Sequence, residues 1–175
     1  MKNREEIFEI LKTQFPDAVL GIDSSLPTEV IILIDPFKIK EVSLYLRDTE
    51  ELNFDVLMLL SGVDDANGEK VKDEEGCDLI KGGTLSVYYH LDSINLKHKV
   101  TLKVSVPREK PEVESVYYVW RTSDWHEREA YDMIGIIFLN HPTFERILMP
   151  YDWEGYPLRK DYKNPEFYQG MKIAY

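Results

Sequence analysis

Residues 84–106, TLSVYYHLDSINLKHKVTLKVSV, decide the fold. Leu85, Val87, Tyr89 and Leu91 alternate with Thr84, Ser86, Tyr88 and His90. Past a turn at Asp92-Ser93, Val100, Leu102, Val104 and Val106 alternate with Lys99, Thr101, Lys103 and Ser105. A strand turns successive side chains to opposite faces, so alternation on both arms predicts an antiparallel hairpin with one buried face. The lysines fall on the other face, where they keep the surface wet and discourage edge pairing.

Upstream, the pattern switches between helix and strand. Asn3 with Glu6 three residues later forms a capping box, and Ile7, Ile10, Leu11 and Phe15 follow on one helical face until Pro16. Two short strands, residues 19–23 and 30–34, are joined by a Ser/Pro turn. Asp35-Pro36 opens a second helix carrying Ile39, Val42 and Leu46 inward. Residues 54–62 read as a buried strand and 64–76 as a polar loop. Helices and strands thus mix along one chain. The expected class is α+β, with a mixed β-sheet and flanking helices over residues 1–106.

Beyond Pro111 the texture changes. Residues 112–121 read as a short helix, and Asp124 with Glu127 caps another that reaches about Ile134. An apolar strand-like piece, 136–139, follows Gly135, which makes residues 107–139 a helical segment with a short strand. Residues 140–175 form an extended arm, turned by His141-Pro142, Pro150 and Gly155-Tyr156-Pro157. All three tryptophans and eight of the eleven tyrosines lie after Pro111, and aromatic side chains concentrate where chains meet. The arm offers few apolar contacts to its own domain. Its aromatics fit a partner that supplies the other wall better than a tail folded back on its own sheet, and the isolated chain is expected to lose the arm to protease.

Charge narrows the partners. The 175 residues carry a formal net charge of −11, against nonspecific nucleic-acid binding and against docking on anionic lipid. The acidity sits in one stretch: residues 48–78 hold eleven acids against Lys70 and Lys72, a solvated loop by pattern. Residues 140–175 balance five acids with five bases. Cys77 is the only cysteine, so no intrachain disulfide and no all-cysteine iron–sulfur site can form here. Its acidic surroundings raise the thiol pKa rather than activate it. No signal peptide and no apolar run of about 20 residues is present, as expected of a soluble intracellular chain.

Catalytic motifs fail on spacing. His126-Glu127 suggests a zinc-protease helix, but the second histidine would stand at 130, which is Ala. His90, His98, His126 and His141 are scattered, so no catalytic, cofactor or metal residues are assigned. A small hydrolase built on His126, Glu127 and Glu129 lacks motif geometry. Glu127, Arg128, Glu129 and Asp132 form the densest charge group, with Arg128 and Asp132 four apart and able to pair. Beside Trp125, Tyr131 and Met133 such charges are either a solvated face or a structural ion-pair cluster. In the arm, Arg146 and Arg159-Lys160-Asp161-Tyr162 are the polar anchors.

Taken together, Glu127-Arg128-Glu129, Tyr131-Asp132, Gly135-Ile136, Phe138, His141-Pro142, Arg146-Ile147-Leu148 and Gly155-Tyr156-Pro157-Leu158-Arg159-Lys160-Asp161-Tyr162 resemble the signature of the 30 kDa subunit family of respiratory complex I, the bacterial NADH-quinone oxidoreductase. Ile134, Asn140 and Glu145 depart from its usual residues. The resemblance implies a peripheral-arm subunit without its own cofactor or active site, whose interface residues are those of the signature. It implies clamping of the 49 kDa-type subunit and neighbouring iron–sulfur subunits. FMN, iron–sulfur clusters and quinone would be carried by those partners, on the cytoplasmic side of the bacterial inner membrane, with membrane contact only through them. The equivalent subunit of a membrane-bound hydrogenase or an F420-type dehydrogenase is the alternative.

Overall fold

The computed structural model describes residues 2–26, 29–72 and 78–173; Cys77 and the reading of its thiol lie outside them. The hairpin forms as its alternation requires. β6 (Thr84–Ser93) and β7 (His98–Pro107) pair antiparallel, matching Leu85 with Val106, Val87 with Val104, Tyr89 with Leu102 and Leu91 with Val100. All eight are at most 1% exposed. On the other face the register builds a polar ladder: Ser86 Oγ meets Ser105 Oγ at 2.9 Å and His90 Nδ1 meets Thr101 Oγ1 at 3.1 Å. Lys103 lies over the Tyr88 ring. Such opposed pairs add to the register that the buried row sets.

The two expected amino-terminal strands are found as β1 (Val19–Leu26) and β2 (Glu29–Ile34). With β3 (Val56–Asp64) they complete a five-stranded sheet ordered β1-β2-β7-β6-β3. β2 runs parallel to β7 and every other pair is antiparallel, so the sheet is mixed. α1 (Arg4–Gln14) starts at Asn3 with both halves of the capping box in place and buries Ile7 and Leu11. α2 (Ile39–Asp48) buries Ile39, Val42 and Leu46. It begins later than Asp35-Pro36 suggested, because the Asp35 carboxylate accepts the Phe37 N–H at 2.8 Å and closes a turn there.

Five other expectations are corrected. β7 is interior, so its lysines guard no edge, and the Lys103 side chain is 20% exposed beside Asp65 rather than wet. The acidic stretch is not all loop: β4 (Glu69–Lys72) pairs antiparallel with β5 (Asp78–Lys81). Residues 112–121 make no helix. β8 (Glu112–Glu114) pairs parallel with β9 (Ile137–Leu139), the valine spacing that mimics a helix being claimed by a strand from the far side of α3. Asp124 does not cap α3 (Ser123–Ile134), whose N-cap is Thr122. Glu127 is drawn instead to the Ser115 hydroxyl and the Val116 N–H. The fifth concerns the arm.

Candidate functional site

α3 ends where Gly135 turns left-handed at φ 82°, its N–H donating to the carbonyls of Ala130 and Tyr131. A Cβ at this position would lie 2.5 Å from the Tyr156 ring. Glycine is thus required twice, by the backbone turn and by the arm lying across it.

The arm is fastened to its own domain, contrary to the expectation of few apolar contacts: Phe144 and Met149 pack against the core, and polar bonds hold the backbone beside them. Asp132, fully buried on α3, accepts from Arg146 Nη1 at 2.8 Å with one oxygen. Its other oxygen accepts three successive backbone N–H groups, Ile147 at 3.0 Å, Leu148 at 2.6 Å and Met149 at 2.9 Å. Consecutive N–H groups pointing into one anion make a backbone nest. Burial alone raises the Asp132 pKa, but these donors outweigh it and hold the carboxyl below its ordinary value. Arg146 also donates to the Gly155 carbonyl and lies over the rings of Tyr131 and Tyr156.

A second fastening joins the arm to the end of β3. The buried Asp64 carboxylate pairs with Arg108 through one oxygen and accepts the Lys160 N–H at 2.9 Å through the other. Arg108 reaches Asp161 at 3.3 Å, and Asp161 accepts the Ile80 N–H. Between the two fastenings, the Leu158 N–H donates to the Met133 carbonyl at 2.9 Å and Arg159 Nε to the Ile134 carbonyl at 2.6 Å. These bonds satisfy carbonyls that the end of a helix leaves unpaired.

The outer side of the arm carries large apolar groups among charged ones. Leu148 is 60% exposed, Leu158 57% and Tyr151 93%, with Phe167 and Met171 exposed beyond them. Leu158 also borders a groove of about 240 Å³ with Leu59, Gly62, His126, Ala130 and Met133. Apolar groups left outward on a polar-fastened segment form a surface of the kind proteins cover.

The signature residues separate into distinct positions. Arg128 does not pair with Asp132; its Nε donates to the Glu145 carbonyl and its guanidinium lies over Trp125. The nest supplies Asp132 with denser donors than one flexible side chain could. Glu129 is solvent-exposed. Pro142 is exposed, Pro157 half-buried, and the Gly155 carbonyl serves Arg146. Tyr162 Oη accepts from Trp153 Nε1 at 3.0 Å. Glu127 and His141 meet in the interior: His141 Nε2 lies 3.3 Å from Asp124 and 3.9 Å from Glu127. The Glu127 carboxylate accepts from Ser115 Oγ at 2.6 Å and the Val116 N–H at 2.8 Å. Burial pushes its pKa to about 7 in spite of these donors, and pushes His141 down.

Sequence reasoning missed Asp64 and Arg108. Asp64 stood at the start of an apparent polar loop, and Arg108 lay in a charged turn before Pro111. Among the described residues, no group of three or more His, Cys, Asp or Glu side chains is arranged to hold a metal ion. Among the same residues, no helix is long and apolar enough to cross a membrane.

The fold is shared with solved structures. A structure of the trypsin-resistant fragment (1-134) of Nqo5 superposes with a TM-score of 0.58 at 22% identity, covering 79% of this chain and 97% of that one. A chain of the membrane-bound sulfane sulfur reductase, an archaeal respiratory membrane complex, gives 0.61 at 21% identity, with 91% and 85% covered. The family model for the respiratory-chain NADH dehydrogenase 30 kDa subunit matches residues 32–168. An NADH-quinone oxidoreductase subunit from Chlorobium phaeobacteroides is 39% identical over 96% of this chain and 93% of its own length. The counterpart from Chloroherpeton thalassium is 41% identical over 98% of this chain, which spans 65% of that relative. The chain belongs to the respiratory-chain NADH dehydrogenase 30 kDa subunit family.

Proposed function

We propose that this chain is a cofactor-free, peripheral-arm subunit of proton-translocating NADH:quinone oxidoreductase, and that it supports electron transfer from NADH to quinone by holding other subunits in place. One observation carries the reading. The arm is bound on its inner side by Asp132 and Asp64, while Leu148, Tyr151 and Leu158 are left facing outward. Residues 1–106 form the supporting domain, 107–139 the link, and 140–175 the partner-binding unit.

The occupants of that outer surface are the 49 kDa-type subunit and neighbouring iron–sulfur subunits. FMN, the clusters and quinone reside in those partners; for the clusters, the single cysteine of this chain cannot hold an all-cysteine site. The chain works on the cytoplasmic face of the cell membrane, held there by its companions, and has no active site of its own. Purifying the native complex through a tag on this chain tests the reading. Companion subunits with NADH-oxidising flavin and cluster activity are expected. Recovery of the chain alone, or turnover by the isolated chain, would overturn it.

A second reading stands beside it, because the same fold occurs in a chain of a different respiratory membrane complex. It assigns the chain to a membrane-bound hydrogenase or an F420-type dehydrogenase. Companion subunits lacking NADH oxidation would favour it.

A further inference from the structure

The five-stranded sheet has two edges, and the chain guards them differently. β1, at one edge, breaks register twice and carries Asp23 with exposed Ser24 and Ser25. Such breaks and polar groups keep a sheet edge from pairing with other chains. β3, at the other edge, lacks them over most of its length. Residues 56–63, VLMLLSGV, hold no charge and no proline. The one irregularity lies between Leu57 and Leu59, and from Leu59 to Asp64 every residue meets its β6 neighbour without a break. Among the described residues, β6 is the only strand beside β3. Met58, Leu59 and Val63 are exposed along it.

The chain's own atoms close this edge at its two ends and stop there. Thr122 Oγ1 lies 3.5 Å from the Leu57 carbonyl, and the Lys160 N–H donates to the Asp64 carboxylate at 2.9 Å. Residues 58–63 remain open between them, about 20 Å of backbone and the length of an ordinary strand. An antiparallel ladder on one side leaves alternate residues with N–H and C=O pointing outward. Beside those groups lies the groove of about 240 Å³, lined by residues 59–62 and by His126 and Glu129 of α3, with Leu158 of the arm at its border.

We infer that the β3 edge accepts an extended segment of a neighbouring protein subunit as a sixth strand, joined through backbone hydrogen bonds, with one apolar side chain of that segment in the groove. Outward backbone groups are matched by another backbone, and alternate side chains of the added strand then meet the surface beside the edge. Charge decides between occupants. Glu129 is exposed, and among the described residues no ion pair reaches it. It is the one carboxylate lining the groove, in a chain of net charge −11. A segment with a lysine or arginine opposite Glu129 fits there, whereas a second copy of this chain is repelled. Exposed Leu158 makes the edge continuous with the outward side of the arm. The inference rests on the assembly role proposed above and adds the manner of contact to it.

The test compares the native complex with the isolated chain by residue-resolved hydrogen exchange. Within residues 58–63, the amides turned away from β6 should exchange fast in the isolated chain and at least about tenfold more slowly in the complex. Protection by an added strand falls on alternate residues, which cover by side chains does not reproduce. In the complex, a photoreactive benzoylphenylalanine in place of Leu59 should capture one short stretch of another subunit that contains a lysine or arginine. Leu59→Lys, a guard charge on the edge, should lower retention of the chain in the complex about tenfold, and Leu20→Lys, at an exposed position of β1, should not. Outward amides that are already slow in the isolated chain, or equally fast in both states, overturn the inference and leave the assembly role standing. Capture of a second copy of this chain, or equal retention of the two lysine variants, does the same. A wild-type chain that co-purifies with no other subunit fails the assembly role itself.

Discussion

Asp132 and Arg146 are joined at 2.8 Å between α3 and the first residues of the arm, and the same carboxylate collects the next three backbone N–H groups. One side chain therefore decides where the arm begins its path. Asp132→Ala removes a buried acceptor from a partly buried cation and three partly buried donors, a loss of about 3 kcal/mol. Hydrogen exchange at Ile147, Leu148 and Met149 should quicken sharply while the amides of β6 and β7 stay protected. Unchanged exchange at those three amides would remove the nest from the account.

Acid should release the arm. The Asp132 and Asp64 pKa values are both lowered in the folded chain, so their stabilisation is complete above the ordinary carboxylate value of 3.8. It is lost as pH falls below that value, through the lowered ones. Proteolysis at neutral and at acid pH, with an acid-active protease in the second case, should show cutting after Asn140 rise first at low pH. Cutting that begins in the sheet contradicts this order.

Glu127 gives the opposite slope. Its folded pKa of about 7 lies above the ordinary 4.5, so the folded chain holds the proton more tightly than the unfolded one. Its contribution is fully favourable below 4.5 and is lost as pH rises to 7, a change on the order of 3 kcal/mol. Glu127→Gln should flatten that part of the stability curve. Urea midpoints for both chains across this interval test it, and parallel curves would refute it.

Gly135→Ala meets two penalties, a left-handed backbone and a Cβ within 2.5 Å of the Tyr156 ring. The first is worth about 1–2 kcal/mol. Pairing it with Tyr156→Ala should recover the steric part only, so the double mutant is expected to be more stable than the sum of the two single changes. Strict additivity of the measured unfolding energies would mean that the ring does not rest on the helix end.

Arg159→Ala should reduce recovery of the chain in its complex about tenfold, and Lys99→Ala less than twofold. Lys99 is the proper comparison, since Lys103 lies partly covered beside Asp65 and Tyr88. The molar ratio of this chain to its companions, by quantitative mass spectrometry, decides it, and equal losses would argue against a special place for Arg159.

The hairpin was legible because its period of two is written in adjacent residues, and the α1 cap because both halves lie within four residues. Residues 112–121 misled because the valine spacing suits a helix, while the strand that claims β8 comes only after α3. Asp64 and Arg108 were unreadable for a related reason: nothing local tells a loop acid from one that meets an arginine 44 positions away. The signature pointed to Asp132 but not to its partners. Three of them are backbone N–H groups, which every residue but proline possesses and no side chain advertises.

The parallel pairing of β2 with β7 bears on synthesis at the ribosome. Ile31, Ile32 and Leu33 pair with β1 on one side but find their neighbours on the other only at Thr101, Leu102 and Lys103. The amino-terminal third of a nascent chain therefore waits, half its ladder unsatisfied, until the distal hairpin has emerged. A topology of such high contact order closes slowly. Premature termination anywhere before β7 would leave an open, aggregation-prone edge in place of a partly working protein.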